Sequence, residues 1–111
     1  MNIRKLKFKD TFKVARIIKS ANLKDSVLSG YQVLNKEDGD VEYQGINLFF
    51  DIISGISDER TEKEIYALIE DIAGIEDASE MDFIELEEFI KTVIKENNIA
   101  NFITAVKNQM K

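Results

Sequence analysis

The sequence predicts an all-α fold, a compact bundle of five or six short helices behind an N-terminal arm that is either extended or a short strand. Three observations predict it. Proline is absent from all 111 residues, only five glycines punctuate them, and apolar residues recur at three- and four-residue spacing through each long segment. Without proline or frequent glycine, hairpin and tight-turn signals are scarce and a helix can run unbroken. Three/four spacing gathers side chains on one helical face. A hydrophobic fraction of 44% is enough for the core of one helical domain spanning 1–111.

In NIRKLKF, Leu6 and Phe8 alternate over too short a run to choose between strand and arm. In the following KDTFKVARIIKSANLKD, Asp10 is the expected N-cap, and Phe12, Ala15 and Ile18 with Val14 and Ile17 form the expected buried stripe. A short helix follows on Val27, Leu28, Tyr31 and Leu34, weakened by Gly30, and a polar turn is expected at 35–40. From Val41 a central helix puts Ile46, Phe49, Phe50 and Ile53 on one face and Asn47, Asp51 and Ser54 on the other, with Gly55 ending it in a left-handed conformation. Ser57 or Asp58 caps the next helix, whose stripe is Ile65, Leu68, Ile69 and Ile72 and whose stop is Gly74. The last helix starts at Asn98, carries Phe102, Ala105 and Val106 at helical spacing, and places Lys107 and Lys111 at the negative end of its dipole.

Between these two lies DASEMDFIELEE, which has a faint likeness to a calcium loop. Asp77, Ser79 and Glu88 fit its first, third and twelfth positions, and Ile84 its eighth. Met81 offers no side-chain oxygen at the fifth position, and Asp82 stands where the sixth requires glycine. The string is better read as a helix start. Asp82 is the cap and Glu85 completes a capping box, ahead of an apolar face of Phe83, Leu86, Phe89, Ile90, Val93 and Ile94.

Composition removes most chemistry. There is no cysteine and no histidine, so thiolate chemistry, disulfides, nucleophilic triads and ordinary zinc sites are excluded. No glycine precedes a Lys-Ser or Lys-Thr pair in phosphate-loop spacing, and nearly all of the 21 acidic residues fall on polar helix faces. The sequence marks no catalytic residue, no cofactor site and no metal site. The apolar runs are short and the Met1 end lacks a signal-peptide core, which predicts neither secretion nor membrane spanning.

Charge is unevenly placed. Residues 1–24 hold eight basic residues against Asp10 alone, a net +7, while the acidic body, 25–111, carries −13. The basic end is expected to lie against acidic helices, its own or those of a neighbouring copy, and the second case favours a head-to-tail homo-oligomer. A small nucleic-acid-binding regulator using the basic N-terminal helix is the alternative. Single-strand binders interleave exposed aromatics with such charge, whereas Phe8 and Phe12 are expected in the core, and the acidic body would repel phosphate.

Three segments in order, KLKFKDTFKVARIIKSANLKD, GINLFFDIISGISDERTEKEIYALIEDIAGI and MDFIELEEFIKTVIKENNIANFITAVKN, are spread over nearly the whole chain, from Lys5 to Asn108. They resemble the small tail assembly chaperones of long-tailed phages and prophages of Gram-positive bacteria. The likeness is carried by the basic lead into Asp10-Thr11-Phe12-Lys13-Val14-Ala15-Arg16, by Glu64-Ile65-Tyr66-Ala67-Leu68, by the run from Met81, and by Asn98 ahead of Phe102. Phe102-Ile103 stands where that family often has a Phe pair.

The resemblance implies a non-enzymatic helical protein of the bacterial host cytoplasm, left out of the mature virion. Such a protein binds the tape-measure protein, keeps its long apolar helices soluble and helps recruit tail-tube protein. A holding protein needs an apolar groove and a charged exterior. Phe49, Phe50, Phe83 and Phe89 are the candidate groove residues, and Lys13 and Arg16, expected to point outward from the first helix, are the candidate polar contacts.

Overall fold

The structure, a computed structural model, describes residues 2–34 and 41–110, with the side chains of 31–34 and 41 outside the description. The polar turn expected at 35–40 lies outside the described residues, as do the side chains of Tyr31, Leu34 and Lys111. After an extended arm, 2–7, come α1 (Phe8–Ser20), α2 (Lys24–Leu34), α3 (Val41–Ser54), α4 (Glu59–Ala73), a 3-10 turn (Ala78–Glu80), α5 (Phe83–Glu96) and α6 (Ile99–Gln109). The described residues contain no strand, so the fold is all-α with six helices.

Local signals set most of the boundaries. Asp58 caps α4 by accepting the Thr61 N–H at 3.1 Å, and Asn98 caps α6 by accepting that of Asn101 at 3.1 Å. Gly74 ends α4 at φ 66°, a left-handed conformation that costs glycine little. Asn22 (φ 58°) makes the same bend after α1, where the Leu23 N–H returns to the Ile18 carbonyl at 2.9 Å. Among the described glycines only Gly74 has a positive φ, so Gly55 is not the left-handed stop expected of it. Its role is spatial, because a Cβ there would stand 2.5 Å from Leu23 Cδ2. Gly30 and Gly45 likewise let α2 and α5 approach α3, against Leu48 and Ile94.

α1 packs on α4 and α6, α2 on α3 and α6, and α3 on α5. Ile17, Ile18, Val27, Ile90, Ile103 and Val106 are the most enclosed large apolar side chains of this core. Two stripes differ in phase from expectation. In α3 the buried line is Gly45, Leu48 and Ile52, because α2 and α5 cover that side, and Ile46, Phe49, Phe50 and Ile53 are left half-buried. In α1 the buried arc is Asp10, Thr11, Val14, Ala15, Ile17 and Ile18, and Phe12 falls outside it. Asp10 is not the N-cap either. The helix starts at Phe8, with Asp10 in its first turn.

Candidate protein-binding surface

The arm fixes how α1 is presented. Its backbone bonds to the end of α4, Asn2 N–H to the Ala73 carbonyl at 3.0 Å and Arg4 N–H to that of Ile72 at 2.9 Å. The Leu6 N–H then reaches Asn97 Oδ1 at 3.0 Å, just past α5, while the Asn97 amide donates to the Val93 carbonyl. Arg4 forks onto Asp10 at 2.8 and 3.0 Å and reaches Asp71 on α4 at 2.6 Å. Asp10 is fully buried and also accepts the Lys7 N–H at 2.7 Å.

Electrostatics follow from this geometry. Burial pushes the Asp10 pKa up, but the Arg4 guanidinium and the Lys7 amide outweigh it and hold the carboxyl below its ordinary value. Arg4 takes Asp71 down to about 2, with help from Lys9. The bonds to Asp10 first, and then to Asp71, raise the guanidinium further above its usual range. Part of the basic lead is therefore matched within the chain, with Lys9 and Lys13 also 3.4 and 3.5 Å from Asp71.

The opposite flank of α1 is bare. Phe8 and Phe12 are 70% and 42% exposed, with ring centroids 5.1 Å apart. Arg16 and Lys19 continue this face on the next turns, exposed and without an ion-pair partner among the described residues. A second bare region opens α5. There the expected capping box is formed, Glu85 N–H to Asp82 Oδ1 at 2.8 Å and Asp82 N–H to Glu85 Oε1 at 3.3 Å. Beside it Phe83 and Ile84 are 82% and 75% exposed. The Asp77 carboxylate accepts the Ser79 N–H and hydroxyl, closing the 3-10 turn on itself. Among the described residues no three acidic groups converge as metal ligands.

A third surface runs along α3. Tyr43, Ile46, Phe50 and Ile53 share one face at three- and four-residue spacing, Tyr43 exposed and the others half-buried. Behind it lies a cavity of about 50 Å³ lined only by apolar side chains of the arm and of all the helices except α2, Phe49, Phe89 and Phe102 among them.

The six candidate residues thus separate. Phe49 and Phe89 meet at the cavity, with Phe89 buried. Phe50 lies on the α3 face and Phe83 on the bare start of α5. Arg16 points outward as expected, but Lys13 is drawn to Asp71 and half-buried.

Phe8, Phe12 and Phe83 stand at the surface where the sequence pattern puts them on apolar faces, and Ile84, which the pattern leaves off such a face, is exposed too. Ile84 carried a readable signal, since it is out of phase with the Leu86, Phe89, Ile90 and Val93 stripe. Phe83 is in phase with that stripe, yet it sits in the first turn, which the neighbouring helices leave uncovered. Compared with protein-family models, curated proteins and solved structures, the chain matches none.

Proposed function

We propose that this protein is a non-enzymatic holding chaperone that accepts an apolar face of an elongated helical client. The α3 face carries the reading: Tyr43, Ile46, Phe50 and Ile53 present apolar groups at the spacing by which one amphipathic helix receives another. Exposed acids elsewhere on the surface keep a complex dispersed, given a net charge of −6. The resemblance of the sequence to phage tail assembly chaperones supports the tape-measure protein as the client and tail-tube protein as the subunit recruited next, in the cytoplasm of a bacterial host.

The test is co-expression with a tape-measure protein of a long-tailed phage, scoring how much client stays soluble and co-purifies. Wild type is expected to retain the client, and Phe50→Asp to lose most of it while keeping its helical circular dichroism. A wild type that neither solubilises nor retains the client refutes the reading.

A second reading, a nucleic-acid-binding regulator, gains from one observation. Phe8 and Phe12 are exposed beside Arg16 and Lys19, which supplies the mix of aromatic and basic groups that single-strand binding uses. Titration of duplex and single-stranded DNA against ionic strength separates the two, since phosphate binding weakens steeply with salt.

A further inference from the structure

We propose that the apolar cavity behind the α3 face is an anchor pocket, which takes the tip of one leucine or methionine side chain from a client helix that carries basic residues beside it. The inference rests on the holding reading and adds to it which side chain is recognised and where.

The cavity lies where two packed pairs meet, α1 with α4 and α3 with α5. Each of the four helices gives part of its apolar stripe to the wall, and every lining side chain is apolar. A cavity without hydrogen-bond partners stays dry, so its lining gains contacts only from an apolar guest. Size narrows the guest further. An apolar cavity of about 150 Å³ takes a benzene ring, so about 50 Å³ has room for two or three carbon atoms. The branched end of leucine or the thioether end of methionine fits. An aromatic ring is too large, and a charged group would be left unpaired.

Access is from the α3 side. Phe49 and Ile53 of α3, Ile65 of α4 and Leu86 of α5 line the cavity and are also half-buried, so the wall there is one side chain thick. Ile53 belongs to the α3 face as well, which makes pocket and face continuous. Leu6 also lines the cavity, but the arm that carries it is held by its amides to α4 and to Asn97. The helices flanking the entry are acidic: between Lys63 and Lys91 the chain has ten acidic residues and no basic one, over most of α4 and the start of α5. Basic residues beside the client's apolar anchor match that sign, whereas a nucleic acid or an anionic membrane does not.

The experiment fills the cavity in the whole chain. Val14→Ile with Val93→Ile adds one carbon at each of two buried lining positions, and Val93→Ile alone is the milder variant should the double one not fold. The first readout needs no client: methyl resonances of the cavity lining, recorded with and without dissolved xenon. Wild type should show shifts confined to the lining methyl groups, and the double variant none. The second is co-expression with a tape-measure protein of a long-tailed phage, read as the amount of client that co-purifies. The filled variant should melt at or above the wild-type temperature yet retain about tenfold less client.

A wild type in which xenon moves no lining methyl group overturns the proposal. So does a filled variant that melts several degrees lower, because the space for the added carbon is then absent. A folded, filled variant that retains as much client as wild type also overturns it, and leaves the holding reading standing, since the client is still held. A wild type that retains no client refutes the holding reading, and the anchor with it. Client retention that is unchanged at about 500 mM salt overturns the basic flank.

Discussion

Helix α1 starts Lys7-Phe8-Lys9-Asp10 and helix α5 starts Asp82-Phe83-Ile84-Glu85. Each places an exposed Phe at its first position and an acid two residues later whose carboxylate accepts the N–H of the residue before the helix. The two acids have different fates. Asp10 is fully buried, forked by Arg4 and close to Asp71, whereas Glu85 is exposed and answers only to its own turn. The same local geometry thus does two jobs: at α5 it starts a helix, and at α1 it also ties the arm to α4. The difference also leaves two exposed phenylalanines, one in a basic and one in an acidic neighbourhood.

The largest contrast is expected from removing the two acids. Asp10→Ala takes away a buried charge and leaves the Arg4 guanidinium with Asp71 and the Lys5 carbonyl, and should cost about 3 kcal/mol or more in urea unfolding. Glu85→Ala removes one solvent-exposed cap bond and should cost no more than about 1 kcal/mol. Equal costs would mean that the arm adds nothing to the cap at α1.

A smaller effect follows from acid. Asp71 has a folded pKa of about 2 and Asp10 is also held below its ordinary value, so both bind protons more weakly when folded than when unfolded. Their contribution is therefore complete above the ordinary carboxylate range and is lost as pH falls from about 4 towards about 2. Asp71 is more than a third exposed, which screens its share. Asp71→Asn should flatten the decline of melting temperature across that window. A variant as steep as wild type would place the acid sensitivity elsewhere.

What could be read from the sequence divides along the same line. The Asp58 and Asn98 caps, the Asp82–Glu85 box and the Gly74 stop involve partners within five residues, and all stand where the local pattern puts them. The α1 start depends on partners remote in sequence, Arg4 with Asp71 67 residues apart and Leu6 with Asn97 91 apart. Residue type alone makes Asp10 a cap, and spacing alone makes Phe12 a core residue. In the structure Asp10, paired with Arg4, lies in the buried arc of α1 and Phe12 lies outside it.

The candidate site divides in the same way. Arg16 faces outward as its phase requires, but Lys13 is held by Asp71, a partner that no local pattern names. The α3 face was found one step out of phase, because its true buried line runs through Gly45, a residue with no side chain to register as apolar.

The smallest contrast concerns the two phenylalanines. Phe83 is 82% exposed at the first position of α5, so Phe83→Ser should change stability by no more than about 0.5 kcal/mol in either direction. Phe8 is also largely exposed, but its ring lies 5.1 Å from that of Phe12 at a tilt of 38°. An aromatic pair of this kind is worth about 0.5–1.5 kcal/mol, and solvent on both rings puts this one at the low end, so Phe8→Ser should cost about 0.5–1 kcal/mol. Phe12→Ser removes the same pair, and the double variant should cost little more than either single change, which a double-mutant cycle measures directly. If Phe83→Ser proves as costly as Phe8→Ser, then Phe83 packs within its own chain. The two helix starts would then differ only in charge.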